Sequence, residues 1–237
     1  LSGKHLQFRS GALRALIRHY TAEAGVRELE RQIAAVCRKT ARRVASGNES
    51  PVTVTPLVLT DLLGPPRFRR NGHRLGDQVG VANGLAFTWD GGDVIAIEVA
   101  VLDGRGELVL TGRLGEVMKE SAQAALGYAR AQAGKLGLSG DFFARRDLHV
   151  HVPSGAVPKE GPSAGIAIAT ALISAVTGRK IRGDVAMTGE VTLHGYVLRV
   201  GGIREKVLAA HRAGVKAVIL PAENEPDLAE LTETEAK

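Results

Sequence analysis

Apolar residues recur at helical spacing through the first third of the chain. One helix is predicted from Ser10, a candidate N-cap, to Tyr20, and Gly25 then interrupts the pattern. A second, amphipathic helix follows, because apolar residues again lie three or four positions apart. Its apolar face consists of Val26, Leu29, Ile33, Val36 and Cys37. We therefore expect residues 1–66 to form a small helical subdomain.

The pattern changes after a stretch rich in glycine, proline and arginine, GPPRFRRNGHRLGD at 64–77. Such composition is typical of a connection between domains, and we predict a linker over 67–77. Beyond it, β-rich runs are separated by glycine-containing turns, at 80–87, 93–102 and 107–112. Strands and helices then alternate without a strict βαβ rhythm. The predicted fold class is α+β, with the helical subdomain followed by a mixed α/β domain over 78–237.

One long helix is predicted inside this second domain, over 115–134. Its buried stripe is predicted to consist of Val117, Ala122, Ala125, Leu126 and Ala129. A helix of small residues follows Ser163 and ends at Gly178, where a glycine commonly closes a helix. Two strands and a turn are expected between 184 and 203.

Composition indicates the cellular compartment in which the chain is expected. Cys37 is the only cysteine, so no intramolecular disulfide can form and a reducing cytoplasm is expected. No apolar run is long enough for a membrane span, and no membrane partner is expected. The chain begins with leucine and shows no signal-peptide pattern, which favours a piece of a longer protein.

The net charge of +6 is concentrated in the N-terminal third, where 14 Lys/Arg face 5 Asp/Glu through residue 75. Basic surfaces can bind nucleic acid by neutralising phosphates. Without interleaved aromatic residues, a solvated helix surface or a contact with another domain is the favoured interpretation. DNA binding stays open as a secondary property.

Candidate chemistry centres on GPSAG at 161–165. Ser163 stands where a loop gives way to a helix, whose first turn has unpaired N–H groups that could stabilise an oxyanion. A serine in this place is more often only an N-cap. The pattern also matches the G-x-S-x-G nucleophile elbow, which requires a strand leading into the serine and a histidine later in the chain. His194 in a turn and His211 in a helix fit that role poorly.

A serine nucleophile needs a base, and Lys206 is the candidate. It lies near the start of a predicted helix with Val200, Ile203 and Val207 around it. Burial among apolar side chains disfavours the ammonium form and lowers a lysine pKa, as a general base requires. An ordinary exposed lysine in a first helical turn is the alternative, which spacing does not exclude.

Several blocks together resemble the Lon protease family. They are PKEGPSAG (158–165), DVAMTGEVTLHGYVLRVGGIREK (184–206), LAAHRAGVKAVILP (208–221), LTGRLGEVMKESAQAAL (110–126), RRDLHVHVPSGAVPKEG (145–161) and YTAEAGVRELERQIAAVCRK (20–39). The resemblance covers most of the chain in the same order. It implies a serine peptidase with a Ser-Lys dyad, carried here by Ser163 and Lys206.

The resemblance also implies supporting roles. Thr188 would orient the lysine, and Glu160 occupies a position where the family carries an acidic residue that can close over the serine in a resting state. A simple loop charge is the alternative for Glu160. Glu98, among apolar neighbours on a predicted strand, needs a partner if buried and is a further supporting candidate. His149 and His151 alternate on one strand, but no third metal ligand is evident and no metal site is predicted.

The N-terminal helices resemble the small helical subdomain of an AAA+ ATPase. Arg27 matches the arginine that senses nucleotide in the intact enzyme. No G-x-x-x-x-G-K-[ST] motif occurs in the 237 residues, so no cofactor is expected for this piece, whereas ATP and Mg²⁺ are implied for the full-length enzyme. The family continues beyond the strand at 216–221 into a further strand and helix, so a truncated C-terminal end is expected.

The resulting hypothesis is an ATP-dependent serine endopeptidase that degrades misfolded and regulatory proteins in a homohexameric ring in the cytoplasm. The alternative is a non-proteolytic Lon-like scaffold or DNA-associated module. Such relatives lose the Ser-Lys pair, whereas Ser163 and Lys206 both stand here within intact blocks.

Overall fold

The computed structural model describes residues 2–23, 25–48, 50–68, 76–88, 91–153 and 159–231. Contacts divide the chain into two compact units, Leu1–Asn71 and Gly72–Lys237. Residues 69–75 of the predicted linker lie outside the described ranges, so the linker stays a prediction. In the described ranges, no helix has the length and apolar character needed to cross a membrane.

The first unit is a small helical body. Its helices are α1 (Ser10–His19), α2 (Arg27–Ala45) and α3 (Pro56–Leu63), and its strands β1 (Leu6–Phe8) and β2 (Val52–Val54) pair in parallel. The core brings together apolar residues from all three helices, namely Ala12, Leu16, Tyr20, Val36, Val54, Leu59 and Leu62. The Tyr20 hydroxyl also donates to the Gly64 carbonyl at 2.8 Å, which ties the end of α1 to the end of α3.

Two details of the predicted helices were wrong. Ser10 is the first helical residue rather than the N-cap, which is Arg9 without a side-chain hydrogen bond. Val26 is 70% exposed because it precedes α2 instead of lying on its buried face. The start of α2 is capped by Glu23, whose carboxylate accepts the N–H groups of Glu28 and Leu29 at 2.8 Å each.

The second unit contains the remaining elements. Its strands are β3 (Gln78–Val79), β4 (Val81–Thr88), β5 (Gly91–Asp103), β6 (Leu108–Thr111), β7 (Arg146–His151), β8 (Lys180–Ile181), β9 (Val185–Met187), β10 (Glu190–Val191), β11 (Val197–Leu198) and β12 (Ala217–Ile219). Its helices are α4 (Glu116–Ala131), α5 (Gly165–Thr177) and α6 (Ile203–Ala213), with 3₁₀ helices at Phe142–Ala144 and Ala222–Glu230.

A six-stranded mixed sheet organises this unit, in the order β12-β9-β4-β5-β7-β6. Helices cover both faces of this sheet. Consecutive residues of a strand point to opposite faces, so neighbouring residues of β4 contact different helices. Gly84 of β4 faces Ala167 of α5, whereas the next residue, Leu85, packs in a cluster with Ala210 of α6. The larger core lies on the α4 and α5 side. The predicted α+β class is confirmed.

The predicted buried stripe of α4 was partly wrong. Val117 is 42% exposed, whereas Met118 and Ser121 are buried with the predicted alanines. Val117 lies in the first turn of α4, where the buried residue is its neighbour Met118. Between 184 and 203 there are three short strands rather than two, because β10 and β11 form a separate antiparallel pair after β9.

Candidate active site

Ser163 lies two residues before α5, and its backbone is held from two directions. Its carbonyl accepts the Gly189 N–H at 2.8 Å and the Thr188 hydroxyl at 3.1 Å. The preceding carbonyl, that of Pro162, accepts the Ser121 hydroxyl of α4 at 3.3 Å. Segments that are distant in sequence therefore converge on the serine.

The N–H groups of the first turn after Ser163 were expected to be unpaired, but two of them already form hydrogen bonds. The first-turn N–H groups of Gly165 and Ile166 are already paired, with the carbonyls of Pro162 at 3.0 Å and Gly189 at 3.1 Å. These two groups cannot serve an oxyanion, contrary to the general prediction for the first turn. The N–H groups of Ser163 and Ala164 donate to no acceptor in the described part of the chain, and they are the available donors.

Lys206 is one of the largest fully buried side chains, with 2% exposure. It lies in the first turn of α6 behind Ile203, which is also buried. Its Nζ donates to Thr188 Oγ1 at 3.0 Å, and Thr188 has no exposed surface. Burial lowers the pKa of Lys206 from 10.5 to about 8, because the low-dielectric surroundings disfavour the ammonium form.

Thr188 connects Lys206 with Ser163. Its hydroxyl accepts from Lys206 Nζ and donates to the Ser163 carbonyl. In the described residues no hydrogen bond joins Ser163 Oγ directly to Lys206 Nζ. The structure thus brings three predicted site residues into one hydrogen-bonded group, with the threonine between the other two.

Comparison with known proteins identifies the family of this chain. Residues 53–236 match the family model of the Lon protease (S16) C-terminal proteolytic domain, and residues 1–52 match that of the Lon protease AAA+ ATPase lid domain. The chain belongs to the Lon protease family. The Lon family models meet at residues 52 and 53, whereas α3 packs with the first unit through Leu59 and Leu62.

Three relatives illustrate the similarity. Lon protease of Syntrophomonas wolfei is 55% identical over 231 residues, which cover 98% of this chain and 28% of the relative. Lon protease of Roseiflexus castenholzii is 59% identical over 222 residues, which cover 94% and 28%. Lon protease 1 of Bacillus subtilis is 51% identical over 234 residues, which cover 99% and 30%. The chain therefore spans less than a third of the length of these Lon proteases.

Glu160 does not contact the serine of this Lon domain in the described residues. Its Oε1 accepts the Val117 N–H at 3.3 Å, at the start of α4. A side chain on Gly115 would collide with the Glu160 carboxylate, since an added Cβ would lie 1.5 Å from Oε2. The carboxylate is thus bound at a helix N-terminus, where negative charge is favoured. A resting-state role over Ser163 stays a prediction.

Two other predicted residues lie apart from the Ser163 group. Glu98 is exposed, so the argument that a buried carboxylate needs a partner does not apply to it; its Cα pairs in register with that of His151. Arg27 is exposed at the first residue of α2, in the lid unit. Their supporting and nucleotide-sensing roles stay predictions.

The two histidines of β7 share one partner. Thr111 Oγ1 hydrogen-bonds His149 Nε2 at 2.8 Å and His151 Nδ1 at 2.7 Å. Among the residues that the structure describes, no group of three or more metal-ligating side chains is found.

Sequence reasoning missed Ser121, Lys159 and Gly92. Ser121 holds the Pro162 carbonyl. Gly92 of β5 lets α6 approach, because an added Cβ would lie 2.0 Å from the Glu205 carbonyl oxygen. Lys159 is a buried lysine that touches backbone carbonyls. Only the lysine carried a signal, since it stands four residues before Ser163, but its partners are distant in sequence.

Proposed function

We propose that this chain carries a serine endopeptidase in which Ser163 is the nucleophile and Lys206 the general base. The observation that supports this most strongly is the buried Lys206 amine, bonded to a threonine that also bonds Ser163. With a pKa of about 8, roughly a tenth of this amine is neutral at pH 7, and about half is neutral at pH 8. Only the neutral amine can accept a proton.

The hydrogen bonds of Thr188 define how the lysine can act. A hydroxyl has one hydrogen, and that of Thr188 is donated to the Ser163 carbonyl. Oγ1 must therefore accept from Lys206 Nζ. The lone pair of neutral Lys206 is not used in this bond and is available for the Ser163 hydroxyl proton.

The reaction follows from these roles. Ser163 Oγ attacks the scissile carbonyl carbon while its proton passes to Lys206 Nζ. The N–H groups of Ser163 and Ala164 stabilise the negative oxygen of the tetrahedral intermediate. Lys206 returns the proton to the leaving amine as the C–N bond breaks. Water then attacks the acyl-enzyme and gives a proton to Lys206. As the ester C–O bond breaks, Lys206 returns that proton to Ser163 Oγ, and the carboxylic acid leaves.

The proposed substrates are misfolded and regulatory proteins, bound as extended segments. A strand edge recognises such segments through main-chain hydrogen bonds. β6 is the outer strand of the sheet and pairs only with β7 in the described residues. Its chain continues into residues 112–117, which contact Lys159 and Glu160 just before the serine.

We further propose that the full-length protein is an ATP-dependent, homohexameric ring in the cytoplasm. The similarity to Lon proteases and the match of residues 1–52 to the AAA+ ATPase lid domain support this proposal. The residues present do not themselves make a nucleotide site, since the chain has no phosphate-binding G-x-x-x-x-G-K-[ST] loop. Arg27, for which we propose a nucleotide-sensing role in the full-length protein, is exposed. No step is therefore derived through ATP or Mg²⁺.

Nothing in the described residues favours the non-proteolytic alternative. DNA contact by the basic first unit stays a prediction, and salt-dependent retention on DNA tests it. No retention at low salt would contradict it.

The decisive experiment measures cleavage of a short unstructured peptide, which needs no unfolding. Ser163→Ala and Lys206→Met are compared with the parent and with Lys180→Met, which removes an exposed lysine. We expect both site variants to lose about 10³-fold or more in kcat, and Lys180→Met to match the parent. Full activity in either site variant, with fold retained by circular dichroism, contradicts that residue's role.

A further inference from the structure

The backbone turns sharply where β6 ends. Gly112 has φ 112° and Arg113 has φ 56°, and Arg113 is the non-glycine residue with positive φ in the described part of the chain. A left-handed conformation is unfavourable for arginine and persists only where surrounding contacts hold it. Gly112 is required here, because an added Cβ would lie 2.1 Å from the Val152 carbonyl oxygen.

Both the backbone and the side chain of Lys159 form hydrogen bonds with this turn and its neighbours. Its N–H donates to the Arg113 carbonyl at 3.3 Å, and its own carbonyl accepts the Gly115 N–H at 2.8 Å. Its Nζ donates to the Gly112 carbonyl at 3.0 Å and to the Val152 carbonyl at 3.2 Å. The side chain therefore joins the carbonyl groups that follow β6 and β7, and the residue is only 8% exposed.

The next residue extends the same attachment with the opposite charge. Glu160 accepts the Val117 N–H at the start of α4. The ammonium thus meets carbonyl oxygens and the carboxylate meets a helix N-terminus, so each charge faces the complementary end of the backbone. Interchanging the two charges would make both contacts unfavourable, and the register of the segment is therefore specified.

Three residues further on, the chain reaches Ser163. The serine carbonyl is held by Gly189 and Thr188, and these contacts fix the chain after the nucleophile. Lys159 and Glu160 fix it before the nucleophile, on the turn at Gly112 and Arg113. A displacement of about 1 Å at a reacting group can reduce the rate by roughly 10²-fold.

We propose that Lys159 is a positioning residue for Ser163: it binds the Gly112 and Val152 carbonyls and thereby holds the segment that presents the nucleophile. This role rests on the proposed peptidase function. It predicts that loss of the ammonium group loosens residues 159–163 and lowers turnover without altering the base.

Lys159 and Lys206 have different partners, although burial lowers the pKa of both; for Lys159 the positive charge of Arg113 contributes as well. Lys206 Nζ binds a hydroxyl in contact with Ser163, whereas Lys159 Nζ binds the carbonyl oxygens of Gly112 and Val152, which only accept hydrogen bonds. Hydrogen bonds to carbonyl oxygens also favour the charged form, which cannot act as a base.

The test compares Lys159→Met with the parent and with Lys180→Met, in the full 237-residue chain. We expect kcat on a short peptide to fall 10- to 100-fold, KM to stay within about twofold, and the midpoint of the pH profile to be unchanged. A kcat within twofold of the parent overturns the proposal. Loss of the pH-dependent limb overturns it as well, since Lys159 would then be the base.

Amide hydrogen exchange provides a readout that does not need activity. Exchange in a peptide spanning 159–166 should accelerate in Lys159→Met and stay unchanged in Lys180→Met; unchanged exchange in both overturns the positioning role even if the parent proves inactive. An inactive parent with the expected exchange contradicts the peptidase function instead, so the two failures are distinguishable.

If Lys159→Met fails to fold, the parent itself still tests the contacts. Brief acetylation of lysine amines should modify Lys159 at least tenfold more slowly than exposed Lys180. Equal rates for the two lysines would show that the amine is not held by the carbonyls, and the proposal would be rejected.

Discussion

Lys206 Nζ lies 3.0 Å from Thr188 Oγ1, and this contact joins the first turn of α6 to the end of β9. The same hydroxyl reaches the carbonyl of Ser163, at the start of α5. Helices that cover opposite faces of the sheet thus meet through one threonine.

Activity should rise with pH through the titration of Lys206. Its pKa is lowered to about 8 by burial, so the amine is mostly protonated at pH 6.5 and mostly neutral at pH 9. Since only the neutral form accepts the serine proton, kcat/KM for a short peptide should increase about tenfold per unit below the midpoint and level off above it. Initial rates from pH 6 to 9.5 test this, with stability checked at each end. A profile that is flat over this range would contradict Lys206 as the base.

Thr188 should matter through its hydroxyl. Thr188→Val keeps the shape but removes both the acceptor for Lys206 and the donor to Ser163, so we expect kcat to fall roughly 10- to 100-fold. Thr188→Ser retains the hydroxyl and should recover most of the loss. The comparison of kcat for the two variants is the measurement. Equal rates in valine and serine variants would mean that the hydroxyl has no orienting role.

Burial of Lys206 also predicts that the free energy of unfolding depends on pH. The folded-state pKa of Lys206 is about 8, below the ordinary value of 10.5. Its burial therefore destabilises the fold most at pH below 8, by about 3 kcal/mol on the order-of-magnitude conversion of 1.36 kcal/mol per pKa unit. As pH rises from 8 towards 10.5 the folded lysine loses its proton first, and the cost diminishes.

Lys206→Met should accordingly be inactive yet more stable than the parent at pH 7, with the gain shrinking above pH 8. Urea unfolding of both proteins at pH 7 and pH 9.5 measures the difference. Lys180→Met serves as the control, because an exposed lysine should show no such dependence. A methionine variant that is less stable at pH 7 would count against the desolvated amine.

The sequence predicted what local patterns determine. The helix after Ser163 ends at Gly178 in the left-handed conformation, as the glycine indicated. Family motifs picked out Ser163, Thr188 and Lys206, which the structure brings together. Their catalytic roles stay predictions until measured.

Long-range contacts determine what the sequence did not reveal. The Gly189 carbonyl accepts a hydrogen bond from the Ile166 N–H. The general rule that first-turn N–H groups are unpaired therefore could not identify the donors for an oxyanion. Val117 was assigned to the core because its spacing fitted, but the buried face of α4 begins with Met118 and Ser121 instead. The contacts of Lys159 lie 7 and 47 residues away in the chain, beyond the reach of any local pattern.

Gly92 permits the close approach of α6 to the sheet, so a side chain at this position should disturb the site. A Cβ at this position would lie 2.0 Å from the Glu205 carbonyl oxygen and 3.0 Å from the Lys206 nitrogen, and both are backbone atoms that cannot rotate away. Gly92→Ala must therefore shift the first turn of α6 and, with it, the amine that contacts Thr188. We expect a loss of roughly 1–3 kcal/mol in unfolding free energy, as for overpacking in general, and a fall in kcat of at least tenfold. Gly134→Ala is the matched control, since no atom lies within 4 Å of its added Cβ. If Gly92→Ala retained parental kcat while Gly134→Ala did too, the spacing between β5 and α6 would not control the position of Lys206.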